Sequence, residues 1–288
     1  MKQHKKSMSD TSNLTYRDLA IEYFLEVFKL VDQVMKDNKA PFYLIGVNAT
    51  DIQLLKEKIK PSRGTKDIDF AVMVPSFSIY NKIKEDLTTH GFNPTKDIYT
   101  LYHQKFNVAI DLLPFGEIEE NDTINFTERS VDLVVLGFKE TLEEAKRISI
   151  DDNFSVQVPP LHGMIILKLI AWSDRPEHRA TDLEDIYRIV KHYYDAEIDE
   201  VFEEHYDLLD ASPIDEKMVA ARIMGRKIAI VLTKSDKLKD RILKVLKENT
   251  SDPVKSAIAK HWASKFDLDV EYATDILIEI KKGIEETK

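Results

Sequence analysis

The chain has 288 residues, 43% of them hydrophobic and 32% charged, and a formal net charge of −10 at pH 7. These values are ordinary for a globular protein long enough for one large or two modest domains, and the acidic balance argues against coating nucleic acid through bulk positive charge. The absence of cysteine excludes disulfides, thiolate zinc sites and cysteine nucleophiles.

The first half of the sequence alternates helical and strand-like periodicities. After a polar tail at 1–14, which we expect to be disordered, a long amphipathic helix is predicted at 15–37. The strands predicted after it are 41–46, 67–74, 98–106, 107–115 and 131–138, and the predicted helices are 47–59, 76–92 and 139–148. This mixture predicts an α+β fold with a mixed sheet and flanking helices.

From about Pro159 the pattern is almost entirely helical. Helical periodicity covers 161–172, 180–194, 199–209, 216–232, 235–249 and the segment from Val270 on. We therefore predict an α+β domain at 15–158 and a helical domain at 159–288, with a candidate hinge at 150–160. No signal-peptide pattern or long apolar run occurs, so we expect a cytoplasmic protein that does not bind membranes.

Two aspartates open the strand predicted at 67–74. Alternation places Asp67 and Asp69 on one face, where like charges repel unless a cation lies between them. Without further context, such a pair more often marks the first residues of a strand, with both carboxylates exposed to solvent. Asp111, however, lies within another apolar strand, where a carboxylate is costly to bury unless it is paired or coordinated. If the strands are neighbours, the three carboxylates could hold two Mg²⁺ ions, or Mn²⁺, which prefer oxygen ligands.

A glycine-containing turn lies upstream of the aspartate pair. The sequence LIGVNAT at 44–50 predicts a strand end, a glycine and a helix start. Glycine lets a ligand approach the backbone closely, and N–H groups at a helix N-terminus suit phosphate. The turn alone is a weak signal, and the two common glycine-rich nucleotide patterns are absent from the sequence. Its place before the aspartate pair makes it informative.

Together these segments resemble the nucleotidyltransferase superfamily that includes DNA polymerase β, and most of all its AbiEii-type toxin members. The likeness rests on G-x-N-A at 46–49, R-G-T-K-D-I-D-F at 63–70, A-I-D-L-L-P-F-G at 109–116 and LKLIAWSDRPEHRATDLEDI at 167–186. It covers roughly residues 40–190, whereas 195–288 matches no family that we can name. The resemblance implies a nucleotidyltransferase-like sheet with flanking helices, followed by the helical half.

The resemblance also implies roles for single residues. The metal ligands and catalytic carboxylates would be Asp67, Asp69 and Asp111. Gly46 and Asn48 lie where relatives contact phosphate, although Val47 replaces the Gly or Ser of many relatives and removes a serine contact. Arg63 lies where a basic residue approaches the triphosphate in relatives, and a solvent-facing loop residue is the alternative.

Five polar or aromatic residues of the second half form the other part of the predicted site. Lys168, Trp172 and Arg175 share one helix face at spacings i, i+4 and i+7. The common alternative is a lysine whose stem covers the core and whose ammonium reaches water, whereas the resemblance implies that Lys168 and Arg175 contact the nucleotide phosphates. Asp182 and Asp185 share a face of the next helix, and we assign the orientation of the cations to Asp182.

The function implied is a metal-dependent transfer of a nucleoside monophosphate from an NTP to an acceptor hydroxyl. We favour a toxin-like enzyme of a toxin–antitoxin or phage-defence pair, with an antitoxin partner and RNA, such as tRNA, as acceptor. A small-molecule acceptor, such as an aminoglycoside antibiotic, and a catalytically idle regulatory module are the alternatives. If the acceptor is RNA, the lysine-rich helices at 235–249 and 252–265 and the side chain of Trp262 are the expected contacts; otherwise these helices present solvated faces.

Overall fold

The computed structural model describes residues 23–55, 59, 67–127, 131–151 and 154–286. The tail at 1–14, Arg63 and the first residues of the helix predicted at 15–37 lie outside the described residues. Within them the chain forms one five-stranded mixed sheet, two two-stranded sheets and eleven α-helices. The prediction of an α+β fold is confirmed.

The first half interleaves strands and helices. Its strands are β1 (Phe42–Ile45), β2 (Asp67–Met73), β3 (Phe92–Pro94), β4 (Thr100–His103), β5 (Val108–Phe115), β6 (Thr123–Phe126), β7 (Val131–Val134), β8 (Lys146–Asp151) and β9 (Phe154–Val158). Its helices are α1 (Phe24–Asp37), α2 (Gly46–Leu55), α3 (Phe77–Thr89) and α4 (Phe138–Leu142).

The five-stranded sheet has the order β1-β2-β5-β4-β3. Its two central strands, β2 and β5, run parallel, with Asp69 in register with Asp111; the other pairings are antiparallel. Ile68, Phe70 and Leu112 are fully buried. Strands that are covered on both faces have nearly continuous apolar sequences, as β2 and β5 do. Because of this register, the aspartates of two separate segments lie on adjacent strands.

The second half consists of helices, as predicted. They are α5 (Leu161–Asp174), α6 (Ala180–Ala196), α7 (Ile198–Glu204), α8 (Glu216–Leu232), α9 (Asp236–Thr250), α10 (Ala257–Phe266) and α11 (Val270–Glu285). Several begin where a side-chain oxygen accepts a backbone N–H, such as Asp215 for α8 and Ser235 for α9. The buried apolar side chains of both halves form one continuous core. In the described part of the chain, no helix combines the length and apolar character needed to cross a bilayer.

Two sequence predictions near the junction of the halves are wrong. The helix predicted at 139–148 ends at Leu142, and its last residues belong to β8. The candidate hinge at 150–160 contains β9, which pairs with β8 in an antiparallel hairpin. The reason is that buried apolar side chains recur at every second residue, as in a strand: Ile148 and Ile150 are both buried in the core. In β9 the Phe154 ring lies edge-on to the Phe28 ring, with ring centroids 5.0 Å apart.

Candidate active site

The three predicted carboxylates come together at one cavity. Asp67, Asp69 and Asp111 line a space of about 330 Å³ between the central sheet and the helices α5 and α6. From the helical side the cavity is lined by apolar residues of α5 and by five charged or polar residues: Lys168, Arg179, Thr181, Asp182 and Asp185. The site therefore lies between the two halves of the chain and is built from both.

The carboxylates repel one another in this enclosed space. Burial, followed by the charge of Asp111, raises the pKa of Asp69 to about 7, against the opposing effect of Lys168. Burial also raises the pKa of Asp111, although a hydrogen bond from Thr100 acts in the other direction. That bond runs from Thr100 Oγ1 to Asp111 Oδ1 and is 2.6 Å long. A divalent cation would relieve this repulsion, and carboxylate oxygens are the ligands that Mg²⁺ prefers, so the donor set fits such an ion.

A second group of possible ligands lies elsewhere in the described part of the chain. The ligand atoms of Glu200, Glu204 and His205 all lie within 4.8 Å of one another, a spacing that the more open aspartate cluster does not reach. Glu200 already accepts hydrogen bonds from Lys227, at 2.9 Å, and from Tyr193, also at 2.9 Å. This group is therefore part of a salt-bridge network that holds α7 on α8.

The glycine turn touches the aspartate cluster directly. Gly46 begins α2 with φ +70°, and a Cβ at this position would lie 2.0 Å from Asp69 Oδ2. Only glycine permits so close an approach in this backbone conformation. Gly46 and Val47 line the cavity. The structure does not bring the Asn48 side chain there, because Asn48 is buried and its Nδ2 donates to the Asp67 carbonyl at 2.9 Å.

If the site carries out the nucleotidyl transfer that the sequence resemblance implies, replacing Gly46 by alanine is expected to lower its rate by about a hundredfold, since displacing a reacting group by about 1 Å can cost that much. The added methyl group must push the Asp69 carboxylate aside. Gly137→Ala is the matched control: φ is also positive, +90°, but the Cβ would meet Leu238 and Ile166 side chains. We expect that control to lower the thermal midpoint while its folded fraction transfers nucleotide normally. Equal transfer rates for both variants would contradict the assignment of the Gly46 turn to the active site.

Lys168 forms a buried ion cluster with two aspartates. Its Nζ lies 2.7 Å from Asp185 Oδ2 and 3.2 Å from Asp182 Oδ1, and the residue is only 4% exposed. Burial alone would lower the pKa of Lys168, but the charges of Asp185 and Asp182 outweigh it and raise the pKa. Lys168 is therefore not a lysine that extends to water. Asp185, to which the sequence assigned no site role, makes the shorter contact.

The two arginines of this region differ in position. Arg175 is the first residue after α5 and donates from Nη2 to the Asp132 carbonyl at 2.5 Å, outside the cavity lining. Arg179 does line the cavity. Its positive charge partly opposes the rise in the pKa of both Asp69 and Asp111. Sequence reasoning missed Arg179, although it is the basic residue of the R-x-x-D segment that ends at Asp182. It also missed Thr100, which carries no local signal.

Two aromatic side chains of the helical half are structural. Trp172, predicted to share the face of Lys168, is only 8% exposed. Trp262 is fully buried between helices, and its Nε1 donates to the Leu183 carbonyl at 2.7 Å. The expectation that Trp262 contacts RNA is therefore wrong: the ring fills the core where α10 packs on α6. Its lysine neighbours on α10, such as Lys260, remain exposed.

A further buried ion pair connects the glycine turn to the helical half. Arg188 of α6 donates from Nη1 to Asp51 Oδ1 of α2, and both residues are buried. Burial raises the pKa of Asp51, and the arginine charge opposes that rise. Because α2 begins at Gly46, this pair sets the position of the turn relative to α6.

Comparisons with known proteins give one family match. The family described as "Nucleotidyl transferase AbiEii toxin, Type IV TA system" matches residues 58–271. No curated protein matches the chain.

Several solved structures are similar to the chain at low identity, among them the following three. One is the antibiotic-resistance factor ANT(2'')-Ia, 12% identical with a TM-score of 0.38, covering 65% of this chain and 94% of that chain. Another is an antigenic nucleotidyltransferase-like protein from Paracoccidioides brasiliensis, 14% identical with a TM-score of 0.39, covering 79% and 93%. The third is the cyclic dinucleotide synthase CdnE of Elizabethkingia meningoseptica, 14% identical with a TM-score of 0.30, covering 94% and 92%.

Proposed function

The chain belongs to the AbiEii nucleotidyltransferase toxin family, and on that basis we propose that this nucleotidyltransferase moves a nucleoside monophosphate from an NTP to a hydroxyl of RNA, such as tRNA. The observation that carries the proposal is the single cavity lined by Asp67, Asp69 and Asp111 on one side and by Lys168 and Arg179 on the other. Carboxylates suit metal-assisted phosphoryl chemistry, and the opposing cations suit the triphosphate.

The three aspartates would hold the divalent cations, Mg²⁺ or Mn²⁺. When bound, such ions neutralise phosphate charge and favour deprotonation of the attacking hydroxyl. The residues of this chain would supply the rest: Gly46 leaves room for phosphate beside the turn, and Lys168 and Arg179 offset the charge that develops on the leaving group. Contacts from Arg63, Arg175 and Asn48 to the nucleotide stay predictions. In this proposal residues 15–158 form the catalytic domain and 159–288 the helical domain.

RNA is the acceptor that the edge of the cavity favours. On the helical side Arg179, which lines the cavity, has a side chain that is 44% exposed, and Arg175, which lies outside the lining, has one that is 40% exposed. Exposed arginines suit the phosphates of a nucleic acid backbone. The family description names a toxin of a type IV toxin–antitoxin system, so we also propose a cytoplasmic role opposed by an antitoxin.

The proposal is tested by incubating the purified protein with each α-³²P-labelled NTP, Mg²⁺, and either total RNA, purified tRNA or an aminoglycoside. The expected result is label in RNA from at least one NTP, lost on adding EDTA. Label in the aminoglycoside alone would replace the RNA proposal by the small-molecule alternative. No transfer to any acceptor, at any NTP, would contradict the proposed activity itself.

Cation binding is expected to strengthen as the pH rises. Because the pKa of Asp69 is raised to about 7, a cation must displace a proton below that pH, and each unit of pH then changes affinity by up to about tenfold. We expect the Mn²⁺ dissociation constant, measured by calorimetry, to be about tenfold larger at pH 6 than at pH 8, which means weaker binding at pH 6. The same shift makes the cation-free protein less stable as the pH rises toward 7, since the folded state holds a proton that the unfolded state releases near pH 4.

The control for this titration is Asp69→Asn, which should bind Mn²⁺ weakly at both values of pH. An affinity of the unsubstituted protein that does not change between pH 6 and pH 8 would contradict the raised pKa of Asp69.

A further inference from the structure

One surface segment of the helical half is acidic throughout. From Asp195 to Glu216 the sequence contains ten aspartates and glutamates and no lysine or arginine. The segment covers the end of α6, the short helix α7 and the 3₁₀ turn after it, at Tyr206–Leu208. It lies at the opposite end of α6 from Asp182, about 20 Å along a helix that rises 1.5 Å per residue. A partner bound here would leave the candidate active site open.

Three large apolar side chains stand out from this acidic surface. Ile198, Phe202 and Tyr206 follow one another at intervals of four residues and are 45%, 54% and 69% exposed. We call them the α7 ridge. On the other side of α7, Val201 is fully buried in the core, so the helix is anchored while the ridge faces outward. Single exposed apolar residues are normal, but three large exposed apolar side chains within nine residues of chain are more typical of a protein interaction site.

A groove of about 530 Å³ adjoins the ridge. Glu204 and His205 line it on one side and Ala229 and Ile230 of α8 on the other, and the basic residues of the lining are Arg226, Lys227 and Lys239. Ile230 is itself 61% exposed. The frame of the groove is firm, because Lys227 Nζ lies 2.7 Å from Glu200 Oε1 and Arg226 Nη1 lies 3.2 Å from His205 Nδ1. The ridge and groove together offer apolar contact to a helix-sized partner.

Part of the acidic charge around the ridge forms no salt bridge among the described residues, although Asp207 is paired with Arg226. Asp195, Asp199, Glu203 and Glu204 are exposed, and none forms a salt bridge with another described residue. Glu200, by contrast, is half-buried and paired with Lys227. Free carboxylates beside an apolar row complement a ligand that is apolar on one face and basic on the other.

We propose that the α7 ridge and its groove bind a basic amphipathic helix of a partner protein. Its apolar residues would cover Phe202 and Tyr206 and enter the groove beside Ile230, while its lysines or arginines meet the free carboxylates. The exposed carboxylates of Asp195, Asp199, Glu203 and Glu204 around the ridge repel nucleic acid. A symmetric pair of copies of this chain is disfavoured too, because a two-fold contact would set the same acidic patch against itself. The inference is independent of the proposed nucleotidyl transfer.

The test is a fluorescence anisotropy titration of the full chain with a labelled 18-residue amphipathic helical peptide of leucine and lysine. We compare the unsubstituted protein with Phe202→Ser/Tyr206→Ser and with Glu203→Gln/Glu204→Gln. The matched control, Val254→Ser/Glu248→Gln, changes an exposed apolar and an exposed acidic residue elsewhere on the helical half. Denaturation midpoints of all four proteins confirm folding, which these exposed positions should not disturb.

We expect saturable binding by the unsubstituted protein and by the control. The ridge variant should bind at least tenfold more weakly, and the charge variant should bind more weakly with a smaller dependence on salt. Binding that is the same in all four proteins would overturn the proposal, as would the absence of saturable binding. A dimer of the unsubstituted chain that the ridge variant abolishes would also overturn it, because the occupant would then be a second copy.

Discussion

Replacing Asp69 by asparagine is expected to reduce nucleotidyl transfer by about a thousandfold, or about 4 kcal/mol in the barrier. Asparagine has the same shape but cannot supply the anionic oxygens that a divalent cation requires. Asp69 is the central member of the cluster: it is in register with Asp111 on the adjacent strand and touches the Gly46 turn. The rate is measured as transfer of α-³²P label to RNA at saturating Mg²⁺.

This substitution should not destabilise the protein. Burial raises the pKa of both Asp69 and Asp111, and the charge of Asp111 adds to the rise at Asp69, so replacing Asp69 by a neutral side chain removes a buried charge that its neighbour repels. The denaturation midpoint of Asp69→Asn is therefore expected to be equal to or higher than that of the unsubstituted protein at pH 8 without cation. Asp240→Asn, on the exposed face of α9, is the matched control and should leave both the rate and the midpoint unchanged. Undiminished transfer by Asp69→Asn would contradict the proposal that the aspartate cluster takes part in the reaction.

Replacing Lys168 by methionine is expected to have the largest effect on stability. The side chain has a similar length, but its loss leaves the carboxylates of Asp182 and Asp185 together without their buried cation. Removing one partner of a buried ion pair costs about 3–5 kcal/mol in the free energy of unfolding. Urea denaturation monitored by circular dichroism measures this loss. Transfer should also fall, since the positive charge opposite Asp69 is gone.

The cause of that loss can be separated from poor packing. In the double variant Lys168→Met/Asp185→Asn one unpaired charge is removed, so we expect it to regain a large part of the lost stability without regaining activity. Lys244→Met changes a residue on the exposed face of α9. It should alter the free energy of unfolding by less than about 0.5 kcal/mol. If Lys168→Met costs no more than this surface variant, the buried cluster contributes little to the fold.

The candidate site shows where sequence reasoning stops. Strand periodicity placed Asp67 and Asp69 on one face, and the cost of burying a carboxylate in an apolar strand pointed to Asp111; the structure brings all three to one cavity. Lys168 and the orienting role of Asp182 were predicted from the sequence, and Asp182 does contact Lys168 at 3.2 Å, but the closer contact of Asp185 was not predicted. Asp185 looks like a surface residue in an amphipathic helix pattern, and only the packing of α6 on α5 makes it the nearer anion.

The amino-acid sequence by itself determined the α+β class, most of the helices of the second half and the carboxylate cluster. These depend on local physics: side-chain periodicity, capping residues such as Asp215 and Ser235, and the cost of burying a charge without a partner. Only the tertiary structure decided the burial of Trp262, the position of Arg179 in the cavity and the exposed ridge of Phe202. A helix pattern shows which side of a helix is apolar, but the element that covers each side is set by contacts between residues far apart in the chain.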